Sequence, residues 1–264
     1  MNYCLNIRGE LLDLSVPRIM GVMNITPDSF YPASRIADEA AIVSRCAEVL
    51  DSGGDIIDVG ACSTRPHSLP ATEDEEMERL QWALPIIRQQ FPEVRLSLDT
   101  FRAAVARECI EKYGVDIIND CSGGEDAGMF SVVAETGTPY VLTSRSKDIH
   151  DTLMMFAGKV QQLRDLGQKD IILDAGFGFG KTVDENFSML SHLDKLLCMD
   201  LPLMVGISRK SMIWKALGTT PEGSLAGTTA AHAVALMKGA SILRVHDVKE
   251  AVDTVKIIRK CFSV

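Results

Sequence analysis

The sequence predicts an α/β fold in which one (β/α)8 TIM barrel follows a short, hairpin-like N-terminal extension. Eight short segments rich in Ile, Val and Leu alternate with longer amphipathic stretches. Continuous apolar segments of this kind are typical of strands buried on both faces, and strands that alternate with helices form parallel sheets. Eight strands are enough for such a sheet to close. The length of 264 residues is also typical of one closed barrel.

The predicted elements follow one another from the N-terminus. The residues before position 18 are expected to form a small hairpin or plug at the N-terminal end of the barrel. The amphipathic ranges 38–54 and 73–91 predict helices. Gly53 and Gly239 precede predicted strands, where glycine relieves the left-handed end of the preceding helix. The predicted strands are 18–26, 55–61, 94–100, 116–122, 139–144, 170–176, 202–208 and 241–247, and the whole range 1–264 is predicted to be one domain.

Two glycine-rich turns that bind nucleotides are not found in the required form. An open, doubly wound sheet usually has a GxGxxG turn after its first strand. The first predicted strand here runs into Thr26, Pro27 and Asp28, which favours the closed barrel. A phosphate loop has four residues between its first glycine and its Gly-Lys-Thr, but the segment GFGFGKT (176–182) has only three. Its glycines either let Phe179 approach a bound ring or form a tight turn with this ring in the core.

The composition indicates a cytoplasmic protein that acts on small molecules. The net charge of -9 and the lack of a run of Lys and Arg argue against a nucleic-acid partner. No apolar run reaches the ~18 residues that cross a bilayer, and the N-terminal segment lacks the apolar core of a secretion signal. The seven cysteines are dispersed without a CxxC pair, which is typical of free thiols in a reducing compartment.

Polar side chains occur at the C-terminal ends of seven of the eight predicted strands. In a (β/α)8 barrel these ends surround one mouth, where such enzymes have their active site. Any one of these residues could instead cap the next helix, but their number favours a shared site. The acceptors and the amide of Asp99, Asn119 and Asp174 suit a flat heterocycle with several N–H donors. A second set, of side chains that are cationic or can become so, suits phosphate oxygens; it consists of Arg65, Lys210, Arg244 and His246.

Seven motifs resemble those of the dihydropteroate synthase family, in the family's order and at the expected strands. They are MNITPDSF (23–30), CSTRP (62–66), SLDT (97–100), INDCSGG (118–124), LDAGFGFGKT (173–182), GISRKS (206–211) and RVHDV (244–248). The resemblance extends from about residue 18 to residue 262. It implies an enzyme of folate biosynthesis that joins 4-aminobenzoate to 6-hydroxymethyl-7,8-dihydropterin diphosphate, giving 7,8-dihydropteroate and diphosphate. It also implies Mg2+ as cofactor and a homodimer formed through outer helices. The apolar stretch 227–240 could serve such a contact or could equally be a helix packed on the barrel.

The resemblance assigns roles to the residues at the matching positions. The implied catalytic residues are Asp99, Asp174 and Lys210. The implied pterin-binding residues are Asp99, Asn119, Asp174 and Lys210, to which Phe179 is added as a ring contact. The diphosphate would be bound by Asn24, Thr64, Arg65, Arg244 and His246, with Asn24 also a ligand of Mg2+. The aminobenzoate would be bound near Phe30, Pro66 and Ser208.

Three segments depart from the family's pattern. The first loop continues as YPASR (31–35) instead of Ser-Asp-Gly-Gly, and the second reads ACSTRPH (61–67) instead of GESTRPG. After the fifth predicted strand, LTSRSK (142–147) replaces Leu-Met-His-Met, and no site residue is predicted there. These departures leave open a non-catalytic pterin-binding homologue. A pterin- or folate-dependent methyltransferase is a further alternative, although such an enzyme would have no use for the cations of the STRP, SRKS and RVHD motifs.

Overall fold

The predicted barrel is present in the structure, a computed structural model that describes residues 3–25, 35–62 and 71–262, with the backbone alone at residues 35–38. The strands are β1 (Cys4–Ile7), β2 (Glu10–Asp13), β3 (Arg18–Asn24), β4 (Ile56–Gly60), β5 (Arg95–Asp99), β6 (Ile117–Asp120), β7 (Tyr140–Thr143), β8 (Ile171–Asp174), β9 (Leu203–Val205) and β10 (Ala240–Val245). Strands β3 to β10 form a closed parallel barrel in which β10 pairs with β3. Each of the eight predicted strands is confirmed.

Helices follow the barrel strands and surround the sheet. In chain order they are α1 (Arg35–Asp51), α2 (Glu73–Gln90), α3 (Ala103–Tyr113), α4 (Met129–Thr136), α5 (Ile149–Asp165), α6 (Val183–Ser191), α7 (Ser211–Ala216), α8 (Leu225–Met237) and α9 (Val248–Phe262). Short 3-10 helices lie at Leu193–Met199 and Glu222–Ser224. The two predicted helices are therefore confirmed as α1 and α2. No helix in the described ranges is long and apolar enough to cross a membrane.

Local sequence signals account for several helix ends. Helix α2 begins at a capping box, in which the Thr72 side chain accepts a hydrogen bond from the Glu75 backbone and the Glu75 side chain accepts one from the Thr72 backbone. The helix therefore starts at Glu73 directly after the second loop. Gly53 and Gly239 have φ of +90° and +94°, which confirms the left-handed turns predicted before β4 and β10.

The outer wall of the barrel is packed closely against its helices. A Cβ atom at Gly21 of β3 would lie 2.7 Å from a Val49 methyl group of α1, and a Cβ atom at Gly54 would lie equally close at 2.7 Å. Only glycine permits this approach of helix and strand. Buried side chains of the helices, among them Leu80 and Leu84 of α2, share one apolar cluster with strand residues such as Leu98.

The N-terminal hairpin closes one end of the barrel. Strands β1 and β2 pair antiparallel, and Leu5, Ile7 and Leu12 share a buried apolar cluster with residues near the N-terminal ends of barrel strands, among them Ile56 and Ile117. Polar contacts tie the hairpin to the same end: the Asn6 backbone donates to Asp170, and Arg8 forms an ion pair with Asp116. The predicted plug is confirmed. The C-terminal ends of the strands therefore form the accessible end.

Candidate active site

Strand register places several predicted site residues in one layer at the C-terminal end. Asn24 of β3 is the register partner of Gly60, Gly60 is the partner of Asp99, and Asp99 is the partner of Asn119. The side chains of Asn24 and Asp99 flank Gly60, where a Cβ atom would lie 3.4 Å from Asn24 Oδ1 and 3.6 Å from Asp99 Cβ. Asp174 ends β8 on a different part of the barrel wall, where it pairs with Thr143 of β7. The predicted acceptors thus face a common interior from several strands.

A buried ion cluster connects three strands at this end. Arg244 of β10 donates from Nε to Asp58 Oδ2 at 2.6 Å and from Nη2 to Asp99 Oδ2 at 2.6 Å. Asn119 Nδ2 also donates to Asp58 Oδ2, at 3.1 Å. The sequence predicted a set of acceptors for a ring that is separate from a second set for phosphate oxygens. In the described residues this separation is incomplete, because the long Arg244 side chain reaches the carboxylates on β4 and β5.

Asp58 is a site residue that the sequence reasoning missed. It is fully buried, and its Oδ1 has no hydrogen-bond partner among the described residues. The available signal was an acidic residue in the middle of the apolar segment DIIDVGA (55–61). A buried carboxylate requires a partner, but the sequence does not identify Arg244 as that partner, 186 positions away.

The second half of the site is a glycine turn after β8. Asp174 Oδ1 accepts a hydrogen bond of 2.9 Å from the Gly176 backbone N–H. A Cβ atom at Gly176 would lie 1.8 Å from the Ser144 carbonyl oxygen, and the φ of this residue is +65°, so the turn requires glycine there. Lys210 donates to the Phe177 carbonyl oxygen. Its Nζ lies 5.0 Å from the centroid of the Phe179 ring, so Phe179 is at the site, whereas Phe177 is buried in the core.

Burial changes the protonation of the inner residues. Desolvation raises the pKa of Asp99 to about 7, although the neighbouring Arg244 lowers it. Desolvation likewise raises the pKa of Asp174, against the charge of Lys210. For Lys210, burial lowers the pKa to about 8, and the attraction of Asp174 opposes this change. The pocket therefore has one carboxyl group, Asp99, with a pKa near neutral pH, beside a lysine with a pKa of about 8.

The rim of the mouth contains His246 and Ser208. The Ser208 hydroxyl accepts from the His246 backbone N–H at 3.2 Å and lies 3.2 Å from the ring Nδ1. The His246 residue is exposed, yet partial desolvation and the charge of Arg244 lower the pKa of its ring to about 4. The ring is therefore neutral at pH 7. Asn24 is also exposed, at the end of β3.

Four predicted site residues lie outside the described residues, namely Phe30, Thr64, Arg65 and Pro66. Their roles stay predictions. Conversely, the end of β7, for which no role was predicted, contributes a cation. Arg145 lies over the Phe179 ring at 5.5 Å and 3.5 Å from Glu125. The Phe179 ring is therefore flanked by two cations, Lys210 and Arg145.

A preformed metal cage is not part of the described ranges. In them, no group of three or more His, Cys, Asp or Glu side chains is arranged to hold a metal ion. Magnesium differs from most metals in this respect, because it commonly keeps several waters and binds through one or two protein oxygens together with substrate phosphates. The exposed amide oxygen of Asn24 beside the rim fits this mode of binding.

Comparisons with known proteins agree with the fold and the motifs. The profile of the family described as "Pterin binding enzyme" matches residues 20–246. The dihydropteroate synthase of Escherichia coli (strain K12) is 36% identical over 271 residues, which cover 97% of this chain and 95% of the relative. The dihydropteroate synthase of Clostridium beijerinckii is 38% identical over 242 residues, with 88% of this chain and 89% of the relative covered.

Solved structures extend this similarity to three dimensions. The Xanthomonas albilineans dihydropteroate synthase with 4-aminobenzoic acid superposes with a TM-score of 0.91 at 30% identity and covers 100% of both chains. The Coxiella burnetii dihydropteroate synthase in complex with pteroic acid has a TM-score of 0.87 at 31% identity and covers 98% of both chains. The chain therefore belongs to the pterin-binding enzyme family and, within it, to the dihydropteroate synthases.

Proposed function

We propose that the chain condenses 4-aminobenzoate with 6-hydroxymethyl-7,8-dihydropterin diphosphate to give 7,8-dihydropteroate and diphosphate. The observation that carries this proposal is the group of Asp99, Asn119, Asp174 and Lys210 at one end of the barrel. The chain is also 36% identical to the Escherichia coli enzyme over 97% of its own length. Relatives that were solved with 4-aminobenzoic acid and with pteroic acid support the same substrate and product classes.

The inner pocket suits the pterin ring. The ring presents N–H donors along one edge, and the carboxylates of Asp99 and Asp174 and the amide oxygen of Asn119 are acceptors. Lys210 supplies a donor for a ring acceptor, and its contact with the Phe177 carbonyl holds the ammonium group beside the Phe179 ring. A pterin ring that lies beside Phe179 and bonds to these polar groups would have its methylene carbon oriented toward the mouth.

The same carboxylates can assist the reaction. When the bond between the methylene carbon and the diphosphate oxygen breaks, the electron pair leaves with the diphosphate, and positive charge develops on the carbon and the attached ring. A carboxylate held in a buried site stabilises such charge more than it would in water. Asp174 is fixed by the Gly176 backbone and is placed for this role. The amine nitrogen of aminobenzoate then forms the new bond and loses a proton, so no side-chain nucleophile is needed.

The rim is the proposed place of the diphosphate. Arg244 and His246 lie at the end of β10 and Asn24 at the end of β3, and β10 and β3 are neighbours in the barrel. Thr64 and Arg65, which lie outside the described residues, are proposed as further diphosphate ligands. Mg2+ held by Asn24 and the diphosphate oxygens would neutralise charge that develops on the leaving group.

The aminobenzoate is proposed to bind next to Ser208, together with Phe30 and Pro66 outside the described residues. Ser208 is buried, and its hydroxyl is directed by His246. Because Ser208 contacts His246, which is proposed to bind the diphosphate, the attacking amine would lie beside the leaving group.

We further propose that the protein is a cytoplasmic homodimer. The apolar stretch 227–240 lies mostly in helix α8, whose Val234 and Met237 side chains are 41% and 62% exposed. Apolar side chains on an outer helix suit a contact with a second copy. All seven cysteines are free, which supports a reducing compartment. Sedimentation of the purified protein would test the dimer, and a monomer at micromolar concentration would contradict it.

A two-substrate assay tests the proposed reaction. The purified protein with Mg2+ should release diphosphate and form dihydropteroate only when the pterin diphosphate and 4-aminobenzoate are both present. Tight binding of the pterin without any product would contradict the proposal and favour a non-catalytic pterin-binding homologue. Transfer of a methyl group from a methylated folate, with no diphosphate chemistry, would favour the methyltransferase alternative.

A further inference from the structure

Asp58 lies deeper in the barrel than the residues that face the mouth. It precedes Gly60 by two positions on β4, so both residues face the same side of the sheet. Gly60 belongs to the layer of Asn24 and Asp99, and Asp58 therefore lies one layer below it. It is fully buried there.

One oxygen of Asp58 connects two residues with different proposed partners. Its Oδ2 accepts from Arg244, which is proposed to face the diphosphate, and from Asn119, which is proposed to face the ring. The second Arg244 contact goes to Asp99. A fully buried and a partly buried carboxylate thus share one guanidinium group. A buried ion pair is by itself weak evidence for stability, but this arrangement restricts the orientation of the neighbouring side chains.

The contact with Asp58 determines which end of the Asn119 amide is available. A carboxylate accepts hydrogen bonds and does not donate them. The Asn119 group that points at Asp58 must therefore be the NH2 group, and the amide oxygen is left as the acceptor for a ligand. A neutral amide or hydroxyl at position 58 could donate as well as accept, and the Asn119 amide could then turn over and present its NH2 group to the ring.

We propose that Asp58 is a positioning residue of this site, which holds the Asn119 amide with its oxygen toward the pterin and holds the Arg244 guanidinium beside Asp99. The inference rests on the proposed function, because it assumes that the ring of the substrate lies against Asn119. Its consequence is a specificity for rings that donate at this position, such as the 2-amino group of a pterin.

The test compares Asp58→Asn with a matched control, Asp116→Asn. Asp116 is also a buried aspartate with arginine partners, Arg8 and Arg88, but it lies at the closed N-terminal end. Two quantities are measured: kcat/KM for the pterin diphosphate, and the ratio of the dissociation constants of 6-hydroxymethylpterin and its 2-deamino analogue. Calorimetry with the ring compound alone gives this ratio without any turnover.

In the wild type, the 2-amino ring should bind at least about tenfold more tightly than the analogue, because a site that pairs with a donor rejects a ligand that lacks it. Asp58→Asn should bring this ratio close to one and lower kcat/KM by about tenfold or more. Asp116→Asn should keep the ratio and stay within about twofold of the wild-type kcat/KM, because the closed end does not contact substrate.

A folded Asp58→Asn variant with the wild-type ratio would overturn the proposal, whether or not kcat/KM falls, because the amide orientation would then not depend on Asp58. If this variant does not fold, Asp58→Ser, whose hydroxyl also donates and accepts, takes its place. If neither variant folds, hydrogen exchange is measured on the wild type. The Asn119 side-chain amide protons should exchange slowly with solvent, and rapid exchange would contradict the proposed bond. Inactive wild-type protein would count against the proposed function alone, since the ring-binding ratio needs no catalysis.

Discussion

His232 makes the stability of the protein sensitive to acid. It lies on α8, is 2% exposed, and its Nε2 has no hydrogen-bond partner among the described residues. Burial lowers the pKa of its ring from 6.5 to about 4, and Asp247 opposes this change only partly. Between about pH 4 and pH 6.5, this ring therefore binds a proton in the unfolded chain but not in the folded chain. Stability rises with pH wherever the unfolded state binds more protons, so this histidine lowers stability as the pH falls from 6.5 toward 4.

The size of the effect follows from the two pKa values. The pKa of His232 is about 4 in the folded state and 6.5 in the unfolded state. This difference should lower the free energy of unfolding by about 2 kcal/mol at pH 5 and by almost nothing at pH 7.5. His232→Leu removes the titrating ring and keeps an apolar side chain of similar size. Its own effect on packing is present at both pH values and cancels in the difference between them.

The measurement is the free energy of unfolding from urea titrations at pH 7.5 and pH 5, at one protein concentration because oligomers gain stability with concentration. The wild type should lose about 2 kcal/mol more between the two pH values than His232→Leu does. His150→Gln is the control, since His150 is an exposed histidine on α5, and it should lose as much as the wild type. Equal losses in the wild type and His232→Leu would refute the reasoning.

Two further predictions concern the site. Asp174→Asn keeps the shape of the side chain and its contact with Gly176 but removes the charge, so kcat should fall by ~10²-fold or more; single-turnover rates would check this, and an unchanged rate would exclude the proposed role. If the pterin requires an ionised Asp99 and a protonated Lys210, kcat/KM should rise as the pH passes about 7 and fall above about 8. The pH dependence of kcat/KM would check this, and a profile without a rise near pH 7 or a fall above about pH 8 would contradict it.

The parts of the fold that were predicted correctly are those with local signals. Buried parallel strands are apolar throughout, so the eight segments could be recognised one by one. The hairpin was predictable because residues before the first strand had no other place in a closed barrel. Strand-end polar residues such as Asp99 and Asn119 were also recognised, since all parallel strands of a barrel end at the same mouth.

The contacts inside the site could not be predicted in the same way. Arg244 reaches Asp58 and Asp99 because β10 closes the barrel beside β3, which brings β4 and β5 within the length of one arginine side chain. These contacts depend on the closure of the barrel and on the register of its strands, and neither can be predicted from the composition of a single strand. The charge of Arg244 was recognised, but charge alone suggested a partner in the substrate and not one in the protein.

The resulting balance of charge has a consequence for catalysis. Three carboxylates, Asp58, Asp99 and Asp174, face three cations, Arg244, Lys210 and Lys181, so the charges of this group balance when all six are ionised. Because Arg244 is already bonded to two carboxylates, the pocket favours a ring that donates hydrogen bonds to the carboxylates over an anionic ligand. It favours still more a ring on which positive charge develops. The anionic diphosphate would then lie at the rim formed by the ends of β3 and β10, with Arg244 at the boundary between the rim and this layer. The scissile bond would cross that boundary, and each product of its cleavage would be stabilised on its own side.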